Sequence, residues 1–191
     1  MRRKDREMSR EYGLSVIDRS AFGTLSVNDP KHPDLPYSIP LSIVRREDEL
    51  FFHSARGGNK FEILQNSPKA RIVFVDRVQV PDLFSDEELR ELAEQGQLRD
   101  FVSKVFTTEF SSAIVSGRVE EIDHEENPEK FNFAMRAICE KYTPDKMDFF
   151  GAALDFSRKR LAVFSLKIDS ITAKRKRFDA SGTEMKWQRS E

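Results

Sequence analysis

Phe51-Phe52-His53-Ser54-Ala55-Arg56-Gly57-Gly58-Asn59-Lys60 joins an apolar run to a hydroxyl, two glycines and a lysine, and leads into a short helical pattern. Such a stretch suits a phosphate. Glycines let the backbone approach an anion and take dihedrals closed to other residues. The first turn of the following helix offers free N–H groups and the positive end of its dipole. Ser54 supplies a hydroxyl and Lys60 a full charge. The spacing matches neither the nucleoside-triphosphate loop nor the dinucleotide fingerprint. On its own, then, the segment reads either as an anion cradle or as a plain glycine turn carrying a surface lysine.

Outward from this segment, the pattern is mostly β. Glu49 to Ser54 forms a hairpin with Ser38 to Val44 across a turn at Arg45-Arg46-Glu47-Asp48. Phe22 to Val27 precedes it as a strand, and Asn28 to Pro36, with three prolines, is expected to be a loop. Asn59 to Asn66 is the helix after the glycines, stopped by Pro68, and Ala70 to Val78 is a strand. Ser9 caps a helix reaching about Arg19. Pro81 to Val105 breaks the β rhythm with two helical pieces, the first opened by the capping box Ser85-Asp-Glu-Glu88. Glu109 to Ile122 is a strand, Pro128 to Tyr142 and Asp145 to about Phe156 are helices, and Leu161 to about Thr172 closes the pattern as a strand. Residues 179–191, with Trp187, read as a tail. Short hairpins with helices between some strands predict an antiparallel, mainly β (α+β) barrel or curled sheet with peripheral helices and a helical insertion at 81–105. They argue against a doubly wound parallel sheet.

Composition narrows the function. The 191 residues suit a single domain. Charged residues make up 34% of them, yet the net charge is -1, so no global basic field exists to hold nucleic acid. The single cysteine, Cys139, excludes an internal disulfide and a multi-cysteine metal site, and fits a reducing compartment. On its helix Cys139 is expected to be a small core residue rather than a nucleophile. No apolar run is long enough to span a bilayer and no segment resembles a secretion signal, which points to a cytoplasmic protein with no membrane partner. His32, in the proline-rich loop, and His124, in an acidic turn, are expected to face solvent, as are Glu120-Glu121 and Glu125-Glu126; no metal site is expected. His53 differs, because it stands at the strand end beside Ser54, where it could donate to a phosphate, act as an acid, or merely cap the strand.

Several segments together resemble one family. They are Met1-Arg-Arg-Lys-Asp-Arg-Glu7, Pro36-Tyr-Ser-Ile-Pro-Leu41, Leu50-Phe-Phe-His-Ser-Ala55 with Gly58 and Lys60, and Asn66-Ser-Pro68. In this order they resemble the FMN-binding split-barrel proteins related to pyridoxamine 5'-phosphate oxidase, and among these the nitroimidazole-resistance proteins. Phe110-Ser-Ser-Ala-Ile-Val-Ser-Gly117 resembles a further strand of that family more loosely. The resemblance implies a homodimer with FMN at the subunit interface. It assigns His53, Ser54, Ala55, Gly58 and Lys60 to the phosphate side, Pro40 and Leu41 to the flavin ring, and Ser111, Ser112 and Ala113 to a strand presented by the partner. It also implies an FMN-dependent oxidoreductase, with His53 as the catalytic candidate, passing electrons from a reduced nicotinamide to a small-molecule acceptor such as a nitro or quinone-like compound. Two other readings stay open: a non-catalytic flavin or haem binder on the same barrel, and pyridoxamine 5'-phosphate oxidation itself. Phe110 and Ser111 stand where the family has a tyrosine and a basic residue, and the 81–105 insertion is longer than the family pattern.

Overall fold

In the computed structural model, which describes residues 3–97, 99 and 101–186, buried and more exposed residues alternate along Gly23–Asp29 and over 109–120, as expected of strands with one face on the core. The strands are β1 (Glu7–Met8), β2 (Gly23–Asp29), β3 (His32–Leu41), β4 (Val44–Arg46), β5 (Glu49–Ala55), β6 (Lys69–Gln79), β7 (Glu109–Ile122) and β8 (Leu161–Lys176). The helices are α1 (Arg10–Arg19), α2 (Asn59–Asn66), α3 (Asp86–Glu94), α4 (Pro128–Tyr142) and α5 (Phe150–Ser157). All strand pairs are antiparallel, and one eight-stranded sheet runs β3-β2-β6-β7-β8-β5-β4, with β1 added to β8.

The order dictates the shape. β3 and β4 stand at opposite ends of the sheet, yet only Ser42 and Ile43 separate them in the chain. Three peptide steps reach roughly 11 Å at most, so the two edges must come together and the sheet must curl. The result is the expected α+β split barrel. Its interior holds Leu25, Leu50, Phe52, Ile72, Phe74, Val115, Phe164 and Leu166, all at most 1% exposed. A second apolar layer forms outside, where α4 lays Phe131, Ala134 and Ile138 over Phe51 and Val163.

Several expectations are corrected. Ser38–Val44 is not one strand: the chain leaves one sheet edge at Leu41 and joins the other at Val44. Asn28–Pro36 is not a loop, because β2 and β3 pair from Gly23–Leu41 to Asp29–His32 around a tight turn. Proline is tolerated there because β3 is an edge strand whose N–H side needs no partner. Residues 144–149 form a 3-10 turn before α5, so the expected Asp145–Phe156 helix is shorter. In the insertion, α3 carries the expected capping box, with Ser85 accepting from the Glu88 amide. Leu98 falls outside the described residues, and Phe101–Val105 is a π-helical turn. Of the expected tail, residues 179–186 are described. Asp179 accepts from the amides of Ser181 and Thr183, and Glu184 pairs with Arg6 at 2.5 Å. Trp187 lies outside the described residues.

The edge-to-edge crossing needs its backbone satisfied, since Ile43 is fully buried. The Tyr142 hydroxyl accepts from the Ile43 amide and donates to its carbonyl, both at 2.9 Å, and Lys141 Nζ donates to the same carbonyl at 3.0 Å. Tyr142→Phe removes one oxygen and leaves the buried amide without a partner. It should lower unfolding stability by about 1–3 kcal/mol, read as a fall in the urea midpoint. An unchanged midpoint would refute this role for the C-terminal end of α4.

Candidate functional site

β5 ends in Phe52-His53-Ser54-Ala55, and strand alternation sends His53 and Ser54 to opposite faces. Ser54 points to the Phe52 side, is buried, and donates to the Ala55 carbonyl at 2.9 Å. His53 points outward to the α4 layer. There it lines a cavity of about 330 Å³ with Met135, Cys139, Phe150, Leu154 and Leu161. Its Nδ1 is buried and has no hydrogen-bond partner. Burial first, and then the Lys60 charge, hold the imidazole below its ordinary pKa, so it is neutral at pH 7. Burial likewise raises the Cys139 thiol, which is therefore protonated and unactivated.

The glycine turn follows. Gly58 has φ +80 and caps α2 without any side chain bonding the free amides of the first helical turn. A Cβ added to Gly57 or Gly58 would meet nothing within 4 Å, so the turn opens to space. Lys60 stands in that first turn, and burial lowers its pKa. Among the described residues no carboxylate lies within ion-pair distance of it.

Arg56 differs. Its guanidinium binds Glu121 at 2.7 Å and Asp123 at 3.3 Å, while its amide donates to the Arg160 carbonyl at 2.8 Å. Gln65 Nε2 also donates to Glu121. Glu121 is thus a strut for the turn and not the solvated acid expected from sequence. Nothing in the local pattern signals it, because its partner lies 65 positions away. His124 is also corrected: its side chain is only 11% exposed and packs against the Phe131 ring at 5.8 Å. His32 is exposed but begins β3.

The remaining candidates lie on two surfaces. Pro40 is exposed and Leu41 buried at the end of β3, which the short link to β4, paired with Phe51, keeps near the His53 end of β5. On β7, Ser111 is buried and its Oγ sits 2.6 Å from the Tyr12 hydroxyl, and Ala113 is fully buried in the barrel. Only Ser112 of these three turns to the outer face, beside Val75 (46% exposed) and Ile114 (39% exposed). Ala113 pairs with Ala173, whereas Ser54 pairs with Ala162. The two places are thus separated by up to roughly 36 Å of strand. One chain therefore holds His53, Ser54, Gly58 and Lys60 within one strand end and the turn after it, with His53 and Ser54 on opposite faces, and leaves Ser112 apart. Among the described residues no group of three His, Cys, Asp or Glu could hold a metal, and no helix is long and apolar enough to cross a membrane.

A family model described as pyridoxamine 5'-phosphate oxidase matches residues 9–175. The chain belongs to that family. The match runs from the cap of α1 almost to the end of β8, and so includes every element of the site of this oxidase-family chain. Comparison with curated proteins gives no match. Solved structures share the fold of this family member at low identity. A "putative 5-nitroimidazole antibiotic resistance protein" from Bacteroides thetaiotaomicron is 21% identical, with a TM-score of 0.65 over 88% of this chain and 85% of that one. An FAD and heme binding protein from Mycobacterium smegmatis is 18% identical, with a TM-score of 0.64 over 90% and 73%. A flavocytochrome from Azotobacter vinelandii is 15% identical, with a TM-score of 0.63 over 94% and 79%.

Proposed function

We propose that this family member is an FMN-dependent oxidoreductase, a cytoplasmic homodimer that holds the flavin between its subunits. A nitro or quinone-like compound would serve as electron acceptor and a reduced nicotinamide as donor. One observation carries the reading: α2 begins at an open glycine turn with uncapped amides and an unpaired, partly buried Lys60. That donor set fits a phosphate. Gly58 admits the anion, the first amides of α2 donate to it, and Lys60 neutralises it. Arg56, already paired, fixes the turn. Pro40 and Leu41 flank the ring, and Ser112 completes the site from the partner, which agrees with its distance from Lys60 within one chain. The neutral imidazole of His53 keeps one N–H, and so can hold or give a proton at the edge of the cavity. Flavin chemistry, with the group bound, supplies hydride acceptance from the donor and electron delivery to the acceptor.

A second reading has its own observation. His53, with an unpartnered ring nitrogen, faces an apolar cavity and is a side chain able to ligate haem iron. The visible spectrum of the purified protein separates the two. Flavin absorption, present as isolated or after adding FMN, is the expected result. A colourless protein that takes up no FMN overturns the proposal, and a haem band lost in His53→Ala favours the second reading.

A further inference from the structure

Three cations stand in one row across the outer face of the sheet. Lys69 on β6 lies directly opposite Arg118 on β7, and Arg118 directly opposite Lys167 on β8. Like charges directly opposite one another on neighbouring strands destabilise a sheet. Two residues along β6, Arg71 faces Ser116 on one side and Ser26 on the other. Its Nε donates weakly to Ser116 Oγ at 3.4 Å. Among the described residues none of these four cations forms an ion pair, whereas Arg19, Arg45, Arg46 and Arg56 are all paired. The fold therefore sets three cations without ion-pair partners side by side in this row.

A groove of about 520 Å³ covers the Lys69–Arg118 part of this row, lined by Ser26, Lys69, Arg71, Ser116, Arg118 and Asp169 among others, while Lys167 lies outside its lining. Its size falls within the range of small-molecule sites, roughly 300–1,000 Å³. A β-bulge shapes it. The β7–β8 register shifts between Ser116 and Gly117, which leaves Asp169 as the extra residue of β8. A Cβ on Gly117 would lie 2.2 Å from the Lys167 carbonyl oxygen, so only glycine permits the bulge. Bulges re-aim side chains, and this one places Asp169 as the single carboxylate in a lining that holds three cations and two hydroxyls.

We propose that this groove binds the pyrophosphate of a nucleotide, with Lys69, Arg71 and Arg118 on the phosphates and Asp169 accepting from a sugar hydroxyl. The three groove cations stand on two neighbouring strands, roughly 5 Å apart across the sheet and roughly 7 Å apart along β6, the scale of a diphosphate rather than of a nucleic-acid track. The site lies apart from the Lys60 turn and does not require flavin there. A nicotinamide dinucleotide and a flavin dinucleotide both carry the group.

The test is calorimetric titration of the full chain with inorganic pyrophosphate, ADP and, as a control, sulfate at matched ionic strength. Pyrophosphate should bind at least tenfold tighter than sulfate. ADP should bind tighter still, and Asp169→Asn should abolish only that increment. Lys69→Gln with Arg118→Gln should weaken pyrophosphate binding by at least tenfold. The same double variant, relieved of repulsion, should melt a few degrees higher without ligand, a direction that a merely structural role would reverse. Displacement of ADP by one dinucleotide and not the other identifies the source. Equal binding of sulfate and pyrophosphate, or an unaffected double variant, overturns the proposal. FMN uptake by the double variant should be unchanged; its failure in wild type would refute the flavin reading and leave this one standing.

Discussion

Lys60→Met should weaken FMN binding by about 10- to 100-fold while leaving the melting curve of the protein in place. The size follows from the charge-assisted hydrogen bond that the substitution deletes. A hydrogen bond to a charged group is worth about 1.5–3 kcal/mol, and every 1.4 kcal/mol is about tenfold in affinity. Two features push the effect upward. Lys60 is partly buried, so solvent and salt screen its charge less than they would at an exposed tip. The neighbouring cation cannot replace it, because Arg56 is held by Glu121 and Asp123. Stability should not fall, since burial already works against the ammonium and the methionine relieves that desolvation. Arg56→Met serves as the contrast: it removes a strut, so it should loosen the turn and destabilise the α2 end of β5 without deleting a phosphate ligand. The measurement is quenching of flavin fluorescence on titration. An affinity unchanged in Lys60→Met would sink the assignment of the glycine turn to the phosphate.

The elements that chemistry reads locally are legible in the chain. The Phe51–Lys60 segment, the α4 stripe of Phe131, Ala134, Met135 and Ile138, and the capping box at Ser85 each depend on neighbours within a turn or a hairpin. What stays hidden depends on partners distant in sequence. The alternation of Ser38–Val44 continues smoothly through Ser42 and Ile43, and only the strand order shows that the chain changes edges there. Prolines 33 and 36 signal a loop until β3 is known to be an edge. Glu121 reads as a solvated acid because the arginine that binds it arrives from a different strand end. The like-charge row of Lys69, Arg118 and Lys167 is invisible for the same reason, being a matter of register across three strands. The motif groups Ser111 with Ser112, but period two places one under Tyr12 and the other outside.

That period decides the second large effect. Ser112→Trp places a bulky side chain on the outer face, beside Val75 and Ile114, where the barrel interior is not disturbed. If the partner supplies this position to the flavin site, Ser112→Trp alone should abolish FMN uptake, and so nearly should Lys60→Met at low flavin. Mixing the two should restore it. In a mixed dimer one interface site carries both lesions and the other carries neither, because the Lys60 turn comes from one subunit and Ser112 from its partner. With random exchange in a two-fold dimer, about half of the dimers are mixed and about a quarter of the sites are intact. Bound flavin should therefore recover to about a quarter of the wild-type value after subunits are unfolded and refolded together. A site built within one chain predicts no recovery at any mixing ratio, since every copy then carries its own lesion. Retained flavin in Ser112→Trp alone would instead remove the partner strand from the site, and with it the separation along β8 as support for a shared cofactor.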